Sequence, residues 1–343
     1  MTTSVEPRTD LAFTAGAASQ RLVLRVAQLL AWLVHGRSLL RFRRRVGYWP
    51  NAARPRRYNE MMLWRKLFDH NPRFIVFSDK LATRALQARL CPDLALPELL
   101  WVGEDAARIP PAALLRPAVI KASHGCDYNH FRRRGAGDRA LKPRQVRRLN
   151  AWLRRTYGRP QGEWAYRFVA PKLFVEALVT PDPGDELLDL SVHVVGGAPL
   201  FLEAIVRNKT AAQRKGYFHC DGTRWPELEP RRREADRKPA LPADFTLPAC
   251  RAEALVHAAR LGAGVDYARV DFLVASGRLH GGEIAVYPGS GLTRHSEFAA
   301  YNDLLASRWD LTTSWFLTTP QPGLRGVYAR ALAALLRRDG PGA

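Results

Sequence analysis

The chain has 343 residues, of which 47% are hydrophobic and 25% are charged, so it can bury a large core and is neither disordered nor fibrous. Its 53 Lys and Arg against 32 Asp and Glu give a net charge of +21, which suggests a polyanionic partner such as a nucleotide, an anionic membrane surface or nucleic acid. The sequence has no RNA-recognition, zinc-finger or aromatic-interleaved basic motif, so no nucleic-acid partner is expected. The four cysteines are scattered without a CxxC pair, which argues against a disulfide framework or structural zinc and favours a reduced, cytoplasmic setting.

The first patterned segment is RLVLRVAQLLAWLVHGRSLLRFRRR, residues 21–45, which follows a small polar stretch that predicts a loose tail. Its apolar part is interrupted by Arg25 and is shorter than the ~20 residues that a membrane-spanning helix needs. The segment ends in a basic cluster formed by Arg41, Arg43, Arg44 and Arg45. Two interpretations stay open: an amphipathic helix lying on the anionic inner leaflet of a membrane, and a helix packed on its own domain with a solvated basic end.

Further along the chain, apolar periodicity predicts helices over 58–69, from about 78, over 146–158 and over 250–265. Asn59 is expected to cap the first of these helices, and Ser78 or Asp79 the second. Strands are predicted over 118–123, over 172–179, and over 188–207 as two strands about Gly196-Gly197. The stretch 226–248 is rich in proline and charge and predicts an irregular surface excursion. Because helices and antiparallel strands are mixed without strict βαβ alternation, α+β lobes are favoured over a doubly wound sheet.

The stretch ARVDFLVASGRLHGGEIAVYPGSGL, residues 268–292, alternates like a half-buried β-hairpin. If its loop has three residues centred on Gly277, Asp271 lies opposite Glu283 on one face of the hairpin. Directly opposed side chains have Cβ atoms ~5 Å apart and like charges there repel, so a cation is expected between the two acids. Alternatively, a two-residue turn shifts the register and sends the two carboxylates to opposite faces.

Four features follow one another in an order that suits a nucleotide triphosphate. They are a strand ending in Lys121 and a glycine-bearing loop, a strand ending in Glu176, a strand with Arg269 and Asp271, and Glu283 followed by PGSG. Such a site needs cations for the phosphates, a mobile cover, a polar anchor for base or ribose, and carboxylates that hold Mg²⁺. The chain offers one candidate for each requirement.

The order of these motifs resembles the ATP-grasp superfamily, and more closely its TupA-like branch, which is associated with teichuronopeptides and other cell-surface polysaccharides. The matching segments lie between residues 58 and 292 and read YNEMMLWRKLFD, SDKLATR, VIKASHG, KLFVEALV, RVDFLV and GGEIAVYPGSGL. The resemblance implies an α+β ATP-grasp fold, in which two lobes enclose ATP behind a small N-terminal helical region. The implied parts are a tail and basic helix (1–57), an N-terminal lobe (58–117), a central lobe (118–180), a C-terminal lobe with the metal site (181–320), and a final helix and tail (321–343).

The function that the resemblance implies is a Mg²⁺- and ATP-dependent carboxylate–amine ligase that works through an acyl phosphate. It implies a role in bacterial cell-surface polysaccharide biosynthesis, on a small-molecule or glycan acceptor, at the inner face of the membrane. Two alternatives stay open. One is an ATP-dependent kinase of a sugar or lipid-linked acceptor, and the other is a non-catalytic, membrane-associated assembly factor.

Carried over to this chain, the resemblance assigns Lys80 and Lys121 to the ATP phosphates and Glu176 to the ribose or adenine. His124 and Gly125 begin the loop expected to close over the phosphates, and it is the loop rather than the imidazole that is expected to bind. The alternatives are a strand-end surface lysine for Lys121, a solvated first-turn lysine beside Asp79 for Lys80, and simple ion pairs for the other charged residues. The pairs considered are Arg84 with Asp79, Glu176 with Lys172, and Arg269 with Asp271.

Asp271 and Glu283 match the metal-binding acids of the superfamily, so Mg²⁺ would supply the positive charge that the hairpin requires. Arg269 is expected to neutralise charge that develops on the phosphoryl group. Main-chain N–H groups are expected to face the acyl phosphate or the substrate carboxylate at Gly289, Ser290 and Gly291.

Three positions depart from the pattern of the branch. Ser191 stands where a lysine is usual, so Arg207 or Lys209 is expected to take over a phosphate contact, and Lys209 joins Arg269 as a catalytic candidate. Asp127 introduces a negative charge into the loop over the phosphates, and Ala285 stands where related ligases often have an asparagine.

Overall fold

The computed structural model describes residues 16–132, 140–230 and 239–339. Within these ranges the helices are α1 (Ala17–Val46), α2 (Tyr58–Leu67), α3 (Arg73–Ser78), α4 (Lys80–Leu90), α5 (Pro143–Leu153), α6 (Arg251–Gly262), α7 (Ala299–Arg308), α8 (Trp315–Thr318) and α9 (Gly323–Asp339). The helices predicted from the sequence are confirmed, with ends that differ by a few residues. Part of the predicted excursion over 226–248 lies outside the described residues.

The strands form two antiparallel sheets. They are β1 (Leu99–Gly103), β2 (Ala118–Ala122), β3 (Asn129–Arg132), β4 (Leu173–Ala177), β5 (Leu188–Val195), β6 (Ala198–Val206), β7 (Arg214–Phe218), β8 (Tyr267–Ala275) and β9 (Arg278–Ala285). The smaller sheet has the order β1-β4-β2-β3, and the larger one has the order β7-β6-β5-β8-β9. These sheets confirm the α+β class and the two predicted strands about Gly196-Gly197.

Each sheet has its own hydrophobic core. One face of the larger sheet packs on α6 through residues such as Val192, Val270 and Ala258. The smaller sheet packs on α5, whose Leu149 and Trp152 are buried. Because the two cores are separate, the space between the sheets is available for a cavity.

Helix α4 begins as predicted, whereas α2 does not. The Asp79 carboxylate accepts hydrogen bonds from the main-chain N–H groups of Leu81 and Ala82, at 2.9 and 3.3 Å, and so caps α4. The prediction that Asn59 caps α2 is wrong, because Asn59 lies inside the helix and is fully buried. Its side-chain amide instead donates to the carbonyl of Gly291, 2.9 Å away.

The β8–β9 hairpin corrects the predicted loop and restores the predicted pairing further along. The loop has two residues, Ser276 and Gly277, both with positive φ (48° and 73°), which matches the strand twist of a tight hairpin. Near this turn the register is therefore shifted by one residue, and Phe272 pairs with Gly281. A β-bulge then removes the shift, so that Val270 pairs with Ile284 as a loop centred on Gly277 would require.

The bulge places Gly282 and Glu283 opposite the single residue Asp271. A Cβ atom on Gly282 would lie 2.4 Å from the main-chain oxygen of Asp271, so only glycine fits at this point without a backbone shift. The bulge therefore keeps the two acids next to each other, although the turn itself has the register that would separate them.

The N-terminal helix α1 has 30 residues and a kink at His35. One face of α1 is buried, where Leu24, Leu39 and Phe42 pack on the rest of the chain, and α9 packs against it. This confirms the interpretation as a helix packed on its own domain, and the membrane interpretation stays a prediction. Across the three described ranges, no helix combines the length and apolarity that crossing a membrane requires.

Candidate active site

A cavity of about 310 Å³ lies between the two sheets, with helix α4 along one side. Its walls come from α4, from β2 and β4 of the smaller sheet, from β8 and β9 of the larger sheet, and from the turn after β9. The predicted candidates that line it are Lys80, Lys121, Glu176, Arg269, Glu283, Gly289 and Ser290. Residues that are far apart in the sequence thus meet around one space, whereas the lining does not include Asp271, His124, Gly125, Lys209 or Gly291.

Lys80 joins α4, the loop after β2, and strand β9. Its Nζ lies 3.2 Å from a carboxylate oxygen of Glu283 and donates to the carbonyl of Gly125. Burial alone would lower the pKa of Lys80, but the nearby Glu283 carboxylate outweighs it, so the pKa is raised above its ordinary value. Lys80 is therefore a fixed positive charge at the wall of the cavity.

Lys121 and Arg84 supply further positive charge on either side of Glu176. The Lys121 Nζ lies 2.7 Å from one Glu176 oxygen, and an Arg84 guanidinium nitrogen lies 3.4 Å from the other. The suggested pairs of Arg84 with Asp79 and of Glu176 with Lys172 are wrong, because Asp79 caps α4 and Glu176 is enclosed by the other two cations. Glu176 is buried at the edge of the cavity, and the two cations keep its carboxylate oriented.

The two predicted metal-binding acids are both paired with a cation. Arg269 binds Asp271 through two hydrogen bonds of 2.7 Å, so the predicted ion pair on one strand face is confirmed. Burial would raise the pKa of Glu283, but Lys80 and Lys121 lower it below the ordinary value. Ser191, at the departure from the branch pattern, lies directly opposite Asp271 on β5.

The two acids suit a Mg²⁺ ion that is also bound by substrate phosphates, rather than a metal ion whose ligands all come from the protein. Among the described residues, no group of three or more His, Cys, Asp or Glu side chains is close enough to bind a metal ion. Mg²⁺ is commonly held by one or two carboxylates together with substrate phosphates and water, so Asp271 and Glu283 are a sufficient protein contribution. Their roles as metal ligands stay predictions.

The loop after β2 is anchored by His124 and joined to the larger sheet by Lys209. The His124 Nε2 lies 3.1 Å from the carbonyl of Trp152, and burial lowers the pKa of the imidazole, so His124 supports the loop from beneath. Gly125 has a φ of 104°, and a Cβ atom there would lie 2.6 Å from the Tyr157 ring. The loop therefore requires glycine at this position.

Asp127, the unexpected acid of this loop, does not stand unpaired beside the phosphate-binding cations. Its carboxylate lies 2.5 Å from Nζ of Lys209, and both side chains are mostly exposed. Arg207, the other candidate for the missing lysine, instead pairs with Glu186 at the surface. Of the two candidates, Lys209 is therefore the one that reaches the loop over the cavity.

The turn after β9 has three successive residues in the left-handed region, with φ of 55° at Gly289, 56° at Ser290 and 61° at Gly291. Such a conformation is unusual for serine and needs support from its surroundings. Lys66 of α2 provides part of it, since its Nζ donates to the carbonyl of Ser290 at 2.8 Å and to that of Gln161 at 3.1 Å. The turn and its main-chain N–H groups are thus held rigidly at the end of the cavity.

Sequence reasoning did not assign any residue of α2 to the support of this turn. Asn59, Met62 and Lys66 lie on one face of the helix and all contact the turn. The available signal was weak, because the segment YNEMMLWRKLFD also contains Glu60 and Arg65 among its apolar residues. Burial lowers the pKa of Lys66 to about 8, which is the mark of a lysine placed inside the protein for a structural or functional reason.

Asp189 of β5 is a further acid that the sequence did not single out. Burial, together with the charge of Asp271, raises its pKa to about 6. A carboxylate with this pKa changes its charge near neutral pH, at the edge of the proposed metal site.

Comparison with solved structures finds similarity to several ligases. A D-alanine–D-alanine ligase from Bacillus anthracis is 13% identical, with a TM-score of 0.38, over 77% of this chain and 70% of that one. The ATP-grasp ligase PsnB in complex with minimal precursor, Mg and ADP is 16% identical, with a TM-score of 0.35, over 74% of this chain and 66% of that one. An L-amino acid ligase from Bacillus licheniformis is 14% identical, with a TM-score of 0.36, over 72% of this chain and 49% of that one.

These similarities are too distant to assign a function by themselves, and no curated protein matches the chain. The family assignment rests on the match to the model of the TupA-like ATP-grasp family, which covers residues 60–306. That range includes every residue predicted above for the nucleotide and the metal. Because the match extends over most of the chain, the protein belongs to the TupA-like ATP-grasp family and is an ATP-grasp ligase.

Proposed function

We propose that this ligase joins a carboxylate to an amine through an acyl phosphate, in the biosynthesis of a bacterial cell-surface polysaccharide. The observation that supports this most is that cations, carboxylates and a rigid turn with main-chain N–H groups meet around one cavity, whose lining includes Lys80, Lys121, Arg269, Glu176 and Glu283. Phosphates, a metal and a carbonyl group each find a suitable partner there. A simple binding pocket would not require all three.

Each group of residues around the cavity has a separate proposed role. Lys80 and Lys121 bind and orient the phosphates, and Glu176 is placed to accept a hydrogen bond from ribose or adenine. Asp271 and Glu283 hold Mg²⁺, and Arg269 lies beside them. When bound, ATP supplies the phosphoryl group that turns the acid into an acyl phosphate. The amine then forms the new bond to the carbonyl carbon as inorganic phosphate leaves.

The turn of Gly289, Ser290 and Gly291 binds the oxygen of the reacting carboxylate. The N–H of Ser290 is used within the turn, where it donates to the carbonyl of Tyr287 at 2.8 Å, so the N–H groups of Gly289 and Gly291 are the ones proposed to meet the substrate. N–H groups fixed in advance stabilise the negative charge that develops on the carbonyl oxygen during attack by the amine. Lys209, which pairs with Asp127 of the loop after β2, is proposed to contact the phosphates from that side.

The proposed acceptor is a small molecule or a glycan with acidic groups, and the proposed place of action is the cytoplasmic face of the inner membrane. The net charge of +21 supports the first part, because it suits an acidic polymer or its precursor. The exposed apolar face of α1 supports the second part.

Isothermal titration with ATP and Mg²⁺ tests the nucleotide site. One site is expected for the wild type, with affinity lowered about tenfold or more in Lys121→Ala and in Asp271→Ala, because each change removes a charge that contacts phosphate or metal. Arg116→Ala is the matched control, since it removes an exposed cation that does not line the cavity. Unchanged binding in both site variants would end this proposal.

A second assay separates the ligase from a kinase. The protein is incubated with Mg²⁺ and ATP, a panel of uronic acids and a panel of amino acids, and both inorganic phosphate and new products are measured. The ligase releases phosphate only when acid and amine are both present, and mass spectrometry then detects an amide. A stable phosphorylated acceptor without phosphate release would identify a kinase instead, and absence of turnover with every pair would favour a non-catalytic assembly factor.

A further inference from the structure

The outward face of α1 is apolar where a solvated helix would be polar. Six side chains on it are between 43% and 73% exposed, and we call them the α1 stripe: Leu22, Val26, Leu29, Leu30, Leu33 and Val34. Single exposed leucines are ordinary on protein surfaces, but a contiguous row on one helix marks an interaction site. The exposure of these apolar side chains is not explained by the cavity, because none of them lines it.

The stripe is distinct from the face that packs α1 on the protein. Leu24, Ala27 and Ala31 are buried between the stripe positions, with the spacing of the opposite side of a helix. The first half of α1 is therefore apolar on two sides, and only one of them serves the protein's own core. The stripe covers about three helical turns, which is long enough for a surface contact.

The charged residues that flank the stripe along the chain are all of one sign. Residues 11–59 contain ten arginines and no lysine, aspartate or glutamate. Between Arg25 and Arg37 there is no charged residue, so the stripe itself is uncharged and has basic residues at both ends. At the second end Arg44 and Arg45 are exposed, and the half-exposed Trp49 lies near the Arg43 guanidinium.

We propose that the α1 stripe docks on the surface of an anionic phospholipid bilayer, with α1 parallel to the membrane plane. The leucine and valine side chains enter the boundary between headgroups and acyl chains, while the arginines at both ends bind lipid phosphates. An exposed tryptophan at one end is also typical of such an interface.

A second copy of the chain fits this surface less well than a bilayer does. In a symmetric dimer the same patch faces itself, so the arginine clusters of two copies would lie close together and repel. An anionic bilayer satisfies both the apolar stripe and its basic ends. The proposal does not depend on the ligase reaction, because neither the stripe nor these arginines line the cavity.

The test is co-sedimentation of the full chain with vesicles of phosphatidylglycerol and phosphatidylcholine, compared with vesicles of phosphatidylcholine alone. Wild type is expected to bind the anionic vesicles more strongly, and added salt is expected to weaken the binding. The double variant Leu29→Ser/Leu33→Ser is expected to bind at least about tenfold more weakly, because two leucines no longer enter the lipid. Arg44→Glu/Arg45→Glu is expected to abolish the preference for anionic lipid.

Matched controls carry the same changes elsewhere on the surface. Leu115→Ser/Val256→Ser alters two exposed apolar residues, and Arg147→Glu/Arg148→Glu reverses two exposed charges on α5. These variants are expected to bind vesicles like the wild type. All stripe residues are exposed, so the stripe variants are expected to keep the Tm and the Mg²⁺–ATP affinity of the wild type.

Three results would overturn the proposal. The first is equal binding of wild type to both kinds of vesicle or to neither, and the second is equal binding by the stripe variants and their controls. The third is a wild-type dimer in solution that the stripe variants lose, measured by light scattering after size exclusion, since the stripe would then be a protein interface. If the wild type does not bind ATP, the proposed nucleotide site is refuted, whereas the proposed membrane contact is unaffected.

Discussion

Replacing Gly282 with alanine is expected to weaken Mg²⁺–ATP binding, because Gly282 forms the bulge that keeps Asp271 and Glu283 together. The added Cβ atom would lie 2.4 Å from the main-chain oxygen of Asp271, whereas such contacts essentially never fall below 3.0 Å. The two strands must therefore separate by at least 0.6 Å, the difference between these distances, at the position of the acids. Overpacking of this kind costs about 1–3 kcal/mol in stability.

The displacement is expected to affect binding more than stability. A loss of about 1–3 kcal/mol lowers the Tm by only a few degrees in a chain of this size. Misplacing the support of a metal ligand typically lowers metal affinity about 10–100-fold, and the same factor is expected here for ATP in the presence of Mg²⁺. Isothermal titration measures the affinity, and thermal unfolding measures the Tm of the same preparation.

Gly36→Ala is the matched control for this substitution. Gly36 lies in α1 with no atom within 4 Å of the position of a Cβ, so an alanine fits there. In a helix interior this change is neutral or stabilising by about 0.5–1 kcal/mol. If Gly282→Ala binds Mg²⁺–ATP as tightly as Gly36→Ala does, the bulge does not position the metal site, and the reasoning from the hairpin fails.

Asp127→Asn is expected to tighten ATP binding about 1.4–5-fold, because an exposed ion pair worth about 0.2–1 kcal/mol no longer competes for Lys209. Glu98→Gln breaks another exposed pair away from the cavity and serves as its control, and weaker ATP binding in Asp127→Asn would contradict the expectation. Lys66 has a pKa of about 8 when folded and 10.5 when exposed, so the unfolded chain binds more protons between these values and stability from this group rises with pH there. Urea unfolding at several pH values is expected to show a smaller rise for Lys66→Met than for the wild type, and an equal rise in both proteins would refute this.

Local signals in the sequence predicted the elements whose ends are set by neighbouring residues. The carboxylate of Asp79 caps α4 as expected, because capping depends on groups only a few residues apart. The Gly196-Gly197 turn between β5 and β6 was likewise recognisable from two adjacent residues. The site candidates rest on the order of the motifs along the chain, which is informative even where each single motif matches weakly.

Features that depend on two distant segments were not predictable. The polar side chains of Asn59 and Lys66 are explained only by a turn more than 220 residues further along the chain. The hairpin shows a different limit, since the predicted pairing of the acids depended on a three-residue loop that does not exist. The bulge at Gly282 compensates for the shorter loop, and the two glycines at 281 and 282 inside the strand were the available local signal for it.

The position of Lys66 has a consequence for how the two sides of the cavity can move apart. Its buried ammonium holds the carbonyl of Gln161, before β4, and that of Ser290, after β9, so these segments are tied at this point. On the other side the loop carrying Asp127 meets Lys209 through a solvent-screened pair that breaks at little cost. The contact between these parts of the chain is therefore firmer beside Lys66 than at the Asp127–Lys209 pair, where both side chains are mostly exposed.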